Sequence, residues 1–194
     1  MGYHHVIFGP MFSGKTREMQ KIYSRERGRK GIQVFKKYSD KRFKGIRSHD
    51  GIRFDDKDVY VARDVDDVER QLRDDTEIIM IDEAQFYSSK LVEKIREWVE
   101  ERGIIVVTTV LPTDYSGRTF GIAGDLLAQA DVHTPTTAIC EYKEGGRCDN
   151  PATRSFRKVY SEKQILIGGH EAYIPMCRQH FAKSMKLRKG ARAK

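Results

Sequence analysis

No stretch of this chain approaches the run of about 18 apolar residues that a membrane-spanning helix needs, so none of its 194 residues is expected to cross a bilayer. Cysteine is scarce. An odd count of three argues against a disulfide framework and suits a reducing compartment. There is no internal repeat and no low-complexity segment. Met1-Gly2 opens like a myristoylation signal, but Val6 stands where that pattern wants Ser or Thr. The first motif begins too early to leave room for a signal peptide, so the chain is expected to start with its first strand and to reside in the cytoplasm.

What is present is ordinary for a soluble protein: 39% hydrophobic and 33% charged residues, enough for one large domain or one domain with a small appendage. The formal charge is +8, and much of the excess lies in Lys21 to Lys44 and Lys183 to Lys194. The second stretch has no aromatic residues interleaved with its charges, as a single-strand binder would. It reads as a solvated end, and nucleic acid is not expected as a partner. The positive balance suits an enzyme with polyanionic substrates.

Gly9-Pro10-Met11-Phe12-Ser13-Gly14-Lys15-Thr16 is a complete G-x-x-x-x-G-K-[ST] phosphate-binding loop. Gly9 and Gly14 permit turns that a Cβ would forbid, so successive amides point at phosphate oxygens. Lys15 places a positive charge against the β and γ phosphates, and the Thr16 hydroxyl can ligate Mg²⁺. The flanks have the required order. Tyr3 to Phe8 reads as a strand, and Thr16 to about Arg27 as a helix whose N-terminus faces the phosphates.

Further along, Ile32 to Phe35 reads as a strand, and Lys36 to Asp58 as a polar stretch with few order signals. Asp64 is a good N-cap for a helix carrying Val65, Val68 and Leu72 on one face. Glu77 to Asp82 is a buried-strand pattern ending in an acid. Ser88 to Arg102 reads as an amphipathic helix through Leu91, Val92, Ile95, Trp98 and Val99, with Gly103 as its stop. Ile104 to Val110 is another buried strand. Strands alternating with helices predict an α/β fold, a parallel sheet of the RecA-like, P-loop kind with helices on both faces. The boundaries are residues 1–136 for this domain, 137–184 for a small second unit and 185–194 for a basic tail.

Asp82 and Glu83 close the third strand. Neighbouring strand residues point oppositely, so Asp82 can serve Mg²⁺ while Glu83 faces an acceptor and takes its proton. The motif alone leaves open whether that acceptor is water or a substrate hydroxyl. In the second unit, Cys177 and His180 form a tight C-x-x-H pair suited to zinc. Cys140 and Cys148 are more widely spaced than a usual knuckle, but with them all three cysteines fall into one candidate set. The competing reading is three unrelated buried cysteines and a surface histidine.

Three segments carry a resemblance to a known family: Gly-Pro-Met-Phe-Ser-Gly-Lys-Thr, Ile-Asp-Glu-Ala-Gln-Phe-Tyr, and Ile-Gly-Gly-His-Glu-Ala-Tyr followed by the cysteine knuckle. From Val6 to about Phe181 the chain resembles the thymidine kinases of the cellular and bacterial type, in which a phosphate-loop domain carries a zinc-tied lasso. The resemblance implies that Gly9, Pro10, Met11, Phe12, Ser13, Gly14, Lys15 and Thr16 hold ATP phosphates, with Asp40, Arg42 and Gln85 nearby. It gives Thr16 and Asp82 the magnesium and makes Glu83 the general base on the 5′-hydroxyl. Phe86, Leu111, Tyr115, Phe120, Ser155, Leu166, Ile167, Gly168 and Tyr173 would surround the nucleoside, and Cys140, Cys148, Cys177 and His180 would bind a structural Zn²⁺. Tyr115 stands where the family more often has Phe, and His180 where it often has Cys. A homotetramer is a further implication of the resemblance.

The leading expectation is therefore an ATP- and Mg²⁺-dependent kinase acting on thymidine, and on deoxyuridine, yielding thymidine monophosphate for DNA synthesis by salvage. A nucleic-acid-stimulated ATPase or helicase-like module is the alternative, since Asp82-Glu83-Ala84-Gln85 reads like a helicase acid motif. A zinc-bearing adaptor that binds nucleotide without turnover is a third class, against which the intact Lys15, Thr16, Asp82 and Glu83 set argues.

Overall fold

The computed structural model describes residues 1–28, 31–38, 54–142, 146–161, 163–166 and 168–190. Six parallel strands form the main sheet: β1 (His4–Phe8), β2 (Gly31–Lys37), β3 (Val59–Ala62), β4 (Thr76–Ile81), β5 (Ile105–Val110) and β6 (Val132–Pro135). Their spatial order is β3-β2-β4-β5-β1-β6. One strand, β5, thus separates β1, which leads into the phosphate loop, from β4, which leads into Asp82.

The period-2 alternation of strand side chains sorts the core into two layers. Val6, Ile79, Ile81 and Val106 point to one face, where they meet α2 (Val65–Gln71), α3 (Lys90–Glu100) and α4 (Ala123–Gln129). Ile7, Ile78, Met80 and Val107 point to the other, against Met19 and Tyr23 of α1 (Lys15–Glu26). Helices therefore cover both faces, as the strand–helix alternation predicts. Asp64 caps α2 as expected, its carboxylate accepting the Asp67 amide at 2.8 Å.

Three elements escape the sequence pattern. The edge strand β6 (Val-His-Thr-Pro) is largely exposed and has no apolar run. Neither β3, at the opposite edge, nor the short α4 shows enough periodicity to announce itself.

Beyond β6, two small antiparallel pairs build the second unit: β7 (Ala138–Ile139) with β8 (Pro151–Ala152), and β9 (Arg154–Arg157) with β10 (Tyr173–Met176). A helix, α5 (Arg178–Gly190), closes it and runs well into the segment expected to be a solvated end. No helix among the described residues is long and apolar enough to cross a membrane.

Trp98 is fully buried between the sheet and α2, and its indole N–H donates to Glu69 at 2.6 Å. Trp98→Phe keeps an aromatic ring but leaves the Glu69 acceptor without this donor and opens a small void. Denaturant unfolding followed by circular dichroism should show a loss of about 1–3 kcal/mol.

Candidate active site and metal centre

The loop from Gly9 to Thr16 leaves the C-terminal end of β1 and enters α1. A Cβ on Gly9 would lie 2.3 Å from both the carbonyl and hydroxyl oxygens of Thr136, so only glycine fits between the loop and the end of β6. Gly14 has φ 81°, a left-handed conformation that costs glycine little. Inside the loop, Lys15 Nζ donates to the Pro10 carbonyl at 2.7 Å and Ser13 Oγ donates to the same oxygen at 2.8 Å. The buried lysine is thereby folded back over the cradle that a phosphate would fill. Phe12 adopts φ 64°, which costs a non-glycine residue about 1–3 kcal/mol. Its ring stacks on His170 at 3.6 Å between centroids, a contact that helps hold it there.

Asp82 and Glu83 follow β4. The Thr109 hydroxyl on β5 donates to Asp82 Oδ1 at 2.5 Å and accepts the Glu83 amide at 3.0 Å. Glu83 takes a left-handed conformation, φ 53°, which turns the chain sharply off the strand. Gln85 is buried. Its amide donates to Glu83 Oε2 at 2.6 Å and its carbonyl accepts the Leu111 N–H at 3.1 Å. Gln85 therefore supports the glutamate and the loop after β5, and it does not line the cavity beside them.

That cavity measures about 330 Å³. Glu83 and Phe86 form one side, Leu111, Tyr115 and Phe120 another, and Ser155, Leu166, Gly168 and Tyr173 of the second unit close it. Eight nucleoside-contact candidates from the sequence thus share one cavity with the proposed base. Ile167, Asp40 and Arg42 lie outside the described residues. Phe86 and Phe120 meet edge to face at 5.3 Å. Tyr173 Oη donates to the Leu166 carbonyl at 2.7 Å, so two residues of the lining are held to each other.

Several residues that sequence reasoning missed stand here too. Lys37 lines the cavity with its ammonium 4.3 Å from the Tyr87 ring, and burial pulls its pKa down, against a smaller upward pull from Asp64. Asp114 accepts from the Ser116 hydroxyl at 2.7 Å and from the Gln164 amide at 3.1 Å, tying the 111–120 loop to the second unit. Burial would raise its pKa, but these bonds and those from the Ser116 and Arg118 amides outweigh it, and the carboxyl titrates below its usual range. The fully buried Arg157 lays its guanidinium 3.3 Å from the Tyr115 ring centroid and donates to the Lys163 carbonyl at 2.7 Å. None of these carries a motif. Thr109, Asp114 and Arg157 are single polar residues whose role exists only in three dimensions.

In the second unit Cys140, Cys148, Cys177 and His180 converge, with one ligand atom from each within 4.8 Å of the others. His180 Nδ1 is 3.4 Å from both Cys140 Sγ and Cys177 Sγ, and its ring stacks on Tyr142 at 4.2 Å. The wide Cys140–Cys148 spacing therefore does not keep Cys140 out of the cluster. Three buried thiols and an imidazole aimed at one point match the donor set and compactness of a closed tetrahedral zinc site. None of the three cysteines is in a disulfide.

A phosphate loop on β1, a paired aspartate and glutamate across β5, and an aromatic cavity at the glutamate define a phosphate-loop phosphotransferase with a small appended unit whose cysteine–histidine cluster could hold a metal. The thymidine kinase family model matches residues 2–181. A thymidine kinase from Bdellovibrio bacteriovorus is 36% identical over 183 residues, which cover 93% of this chain and 85% of that protein. A second, from Thermococcus kodakarensis, is 34% identical over 195 residues, covering 92% and 93% respectively. The chain belongs to the thymidine kinase family.

Two predictions follow from this geometry. The purified chain should carry about one zinc ion, and Cys140→Ser should lower its zinc content and make residues 149–176 protease-sensitive before the α/β domain unfolds. Metal analysis and limited proteolysis read both effects. Asp114, with its depressed folded-state pKa, contributes stability that is complete above the unfolded value of about 4 and is lost as pH falls through the folded one. The difference in thermal midpoint between the native chain and Asp114→Asn should accordingly narrow as pH drops below about 4.

Proposed function

We propose that the protein transfers the γ-phosphoryl group of ATP to the 5′-hydroxyl of thymidine, and of deoxyuridine, giving the nucleoside monophosphate and ADP for salvage synthesis of DNA. The observation that carries this reading is the cavity at Glu83. A carboxylate borders a space walled by aromatic and aliphatic side chains, large enough for a nucleoside and adjoining the phosphate loop at Met11.

In this mechanism the amides of Gly9 to Thr16 and the Lys15 ammonium hold the donor phosphates and stabilise charge as it redistributes on the transferring group. Thr16 and Asp82 are the oxygen ligands that would hold Mg²⁺, whose charge would offset that of the donor phosphates. Thr109 fixes the Asp82 carboxylate. Glu83, steadied by Gln85, accepts the proton from the 5′-hydroxyl as its oxygen attacks phosphorus, and ADP departs as the leaving group. Phe86, Leu111, Tyr115 and Phe120 hold the base by apolar contact, and Leu166 to Tyr173 meet its polar edge mainly through backbone groups. Closing this side keeps water from the phosphoryl group. Asp40 and Arg42 are assigned near the phosphates by the resemblance, and Cys140, Cys148, Cys177 and His180 would hold a zinc ion that would tie the base of the closing segment. A cytoplasmic homotetramer is the expected working form. The family match lends no support to the nucleic-acid-stimulated ATPase.

Incubation with ATP and Mg²⁺ together with thymidine, deoxyuridine, single-stranded DNA or no acceptor separates the classes. Nucleoside monophosphate should form with the two nucleosides, and DNA should not stimulate phosphate release. DNA-stimulated hydrolysis without monophosphate would overturn the kinase reading. Glu83→Gln should retain ATP and thymidine binding while turnover falls about 10²–10⁴-fold. Near-native turnover in that variant would remove Glu83 from the base role.

A further inference from the structure

A second, separate cleft of about 510 Å³ lies where the back of the phosphate loop meets the metal-binding unit. Gly9 and Pro10 form one wall, but Ser13, Lys15 and Thr16 do not reach it, so the cleft sees the outside of the loop and not the phosphate cradle. Arg154 and Arg178 enter from the opposite wall, accompanied by Thr136, Thr137 and Asn150. No acidic residue lines the cleft, and among the described residues no carboxylate pairs with either arginine. Arg154 donates to the neighbouring Thr153 carbonyl at 2.9 Å and otherwise faces like charge. Burial and then the nearby Arg178 charge both lower its pKa.

We propose that this cleft is an anion site, distinct from the phosphate loop, where Arg154 and Arg178 take the phosphoryl group of a small phosphorylated molecule. Guanidinium forks suit phosphate oxygens, and the threonine hydroxyls and the Asn150 amide supply further hydrogen bonds. The volume exceeds what a bare phosphate fills, and four proline rings offer flat apolar walls for an attached ring system.

The site adjoins the catalytic machinery through one side chain. Thr136 lines the cleft, and its hydroxyl also meets Ser13 Oγ at 2.7 Å inside the loop. A ligand that recruits this hydroxyl would alter the partner of Ser13, so occupancy of the cleft is coupled to the geometry of the phosphate loop.

Inorganic phosphate and adenosine monophosphate, titrated separately into the zinc-loaded full chain bearing Lys15→Ala, test this with the loop's own site weakened. At least one probe should bind, and Arg178→Gln added to that background should weaken it about 10- to 100-fold, with Arg178→Lys restoring part of the affinity. Arg154→Gln should act in the same direction and gives a second reading should the first variant lose zinc. Tighter binding of the monophosphate supports a nucleotide ligand, and equal affinities support the bare phosphoryl group as the recognised element. Binding indifferent to both arginine variants, displacement of the probe by ATP to the same extent in native and Arg178→Gln chains, or no binding of either probe at millimolar concentration would overturn the proposal. Because the readout is binding and not turnover, failure here leaves the kinase reading untouched, and failure of the kinase assay leaves this site standing.

Discussion

The Thr109 hydroxyl sits where the acidic end of β4 must be fixed relative to the phosphate loop on β1, and it is bonded to both acids at once. It donates to Asp82 and accepts from the backbone of Glu83. A hydroxyl can do this only because it is both donor and acceptor; valine, its isostere, could do neither. With Thr109 on the intervening strand β5, the sheet's own ladder sets the spacing between loop and acids. Rigid strands locate the chemistry more reliably than loops could, because a small displacement of a reacting group costs rate steeply.

The second unit meets this frame at the loop after β5, through Asp114 and Tyr115, and also at the phosphate loop. The Met11 amide donates to Ser155 Oγ at 2.9 Å, and Phe12 stacks on His170. Both loop residues sit between the two glycines that set its curvature, so the phosphate cradle and the segment across the cavity share one anchorage. A change at one is felt at the other. This is the physical route by which a filled phosphate loop and a filled nucleoside cavity would favour each other, and the Phe12 conformation, costly by itself, depends on the stack remaining in place.

Much of the site was readable in the sequence because its pieces are local. The phosphate loop, the Asp82-Glu83 step after an apolar strand and the C-x-x-H pair each carry their chemistry within a few residues. The buried strands β1, β2, β4 and β5 announce themselves by clusters of β-branched and other apolar residues, most fully in Ile78 to Ile81 of β4, since both sheet faces are covered. The edges do not. Strand β6 leads straight into Thr136, which meets the loop, yet reads Val-His-Thr-Pro, because an exposed edge needs no apolar pattern. Cys140 was legible as a member of the candidate zinc set but not from its spacing, since its separation from Cys148 is wider than a usual knuckle and only the folded chain shows the two converging. Gln85 shows a subtler gap. Its neighbourhood in sequence associates it with the phosphates, whereas its side chain is spent on Glu83 and Leu111.

Arg157 shows why the remainder could not be read. A fully buried guanidinium with no carboxylate beside it among the described residues is costly unless other groups satisfy it. Here the compensation comes from the Lys163 and Ser161 carbonyls and from the face of Tyr115. Carbonyl oxygens belong to every residue, so no side-chain identity records that they are being used. The same bonds define the function of the arrangement. By gripping the Ser161 and Lys163 carbonyls with its fork and Tyr115 with its face, Arg157 joins the segment after β9 to the loop after β5, two chain stretches that both border the cavity. A lysine could supply charge but not a planar group able to stack and to hold two carbonyls in a fixed geometry.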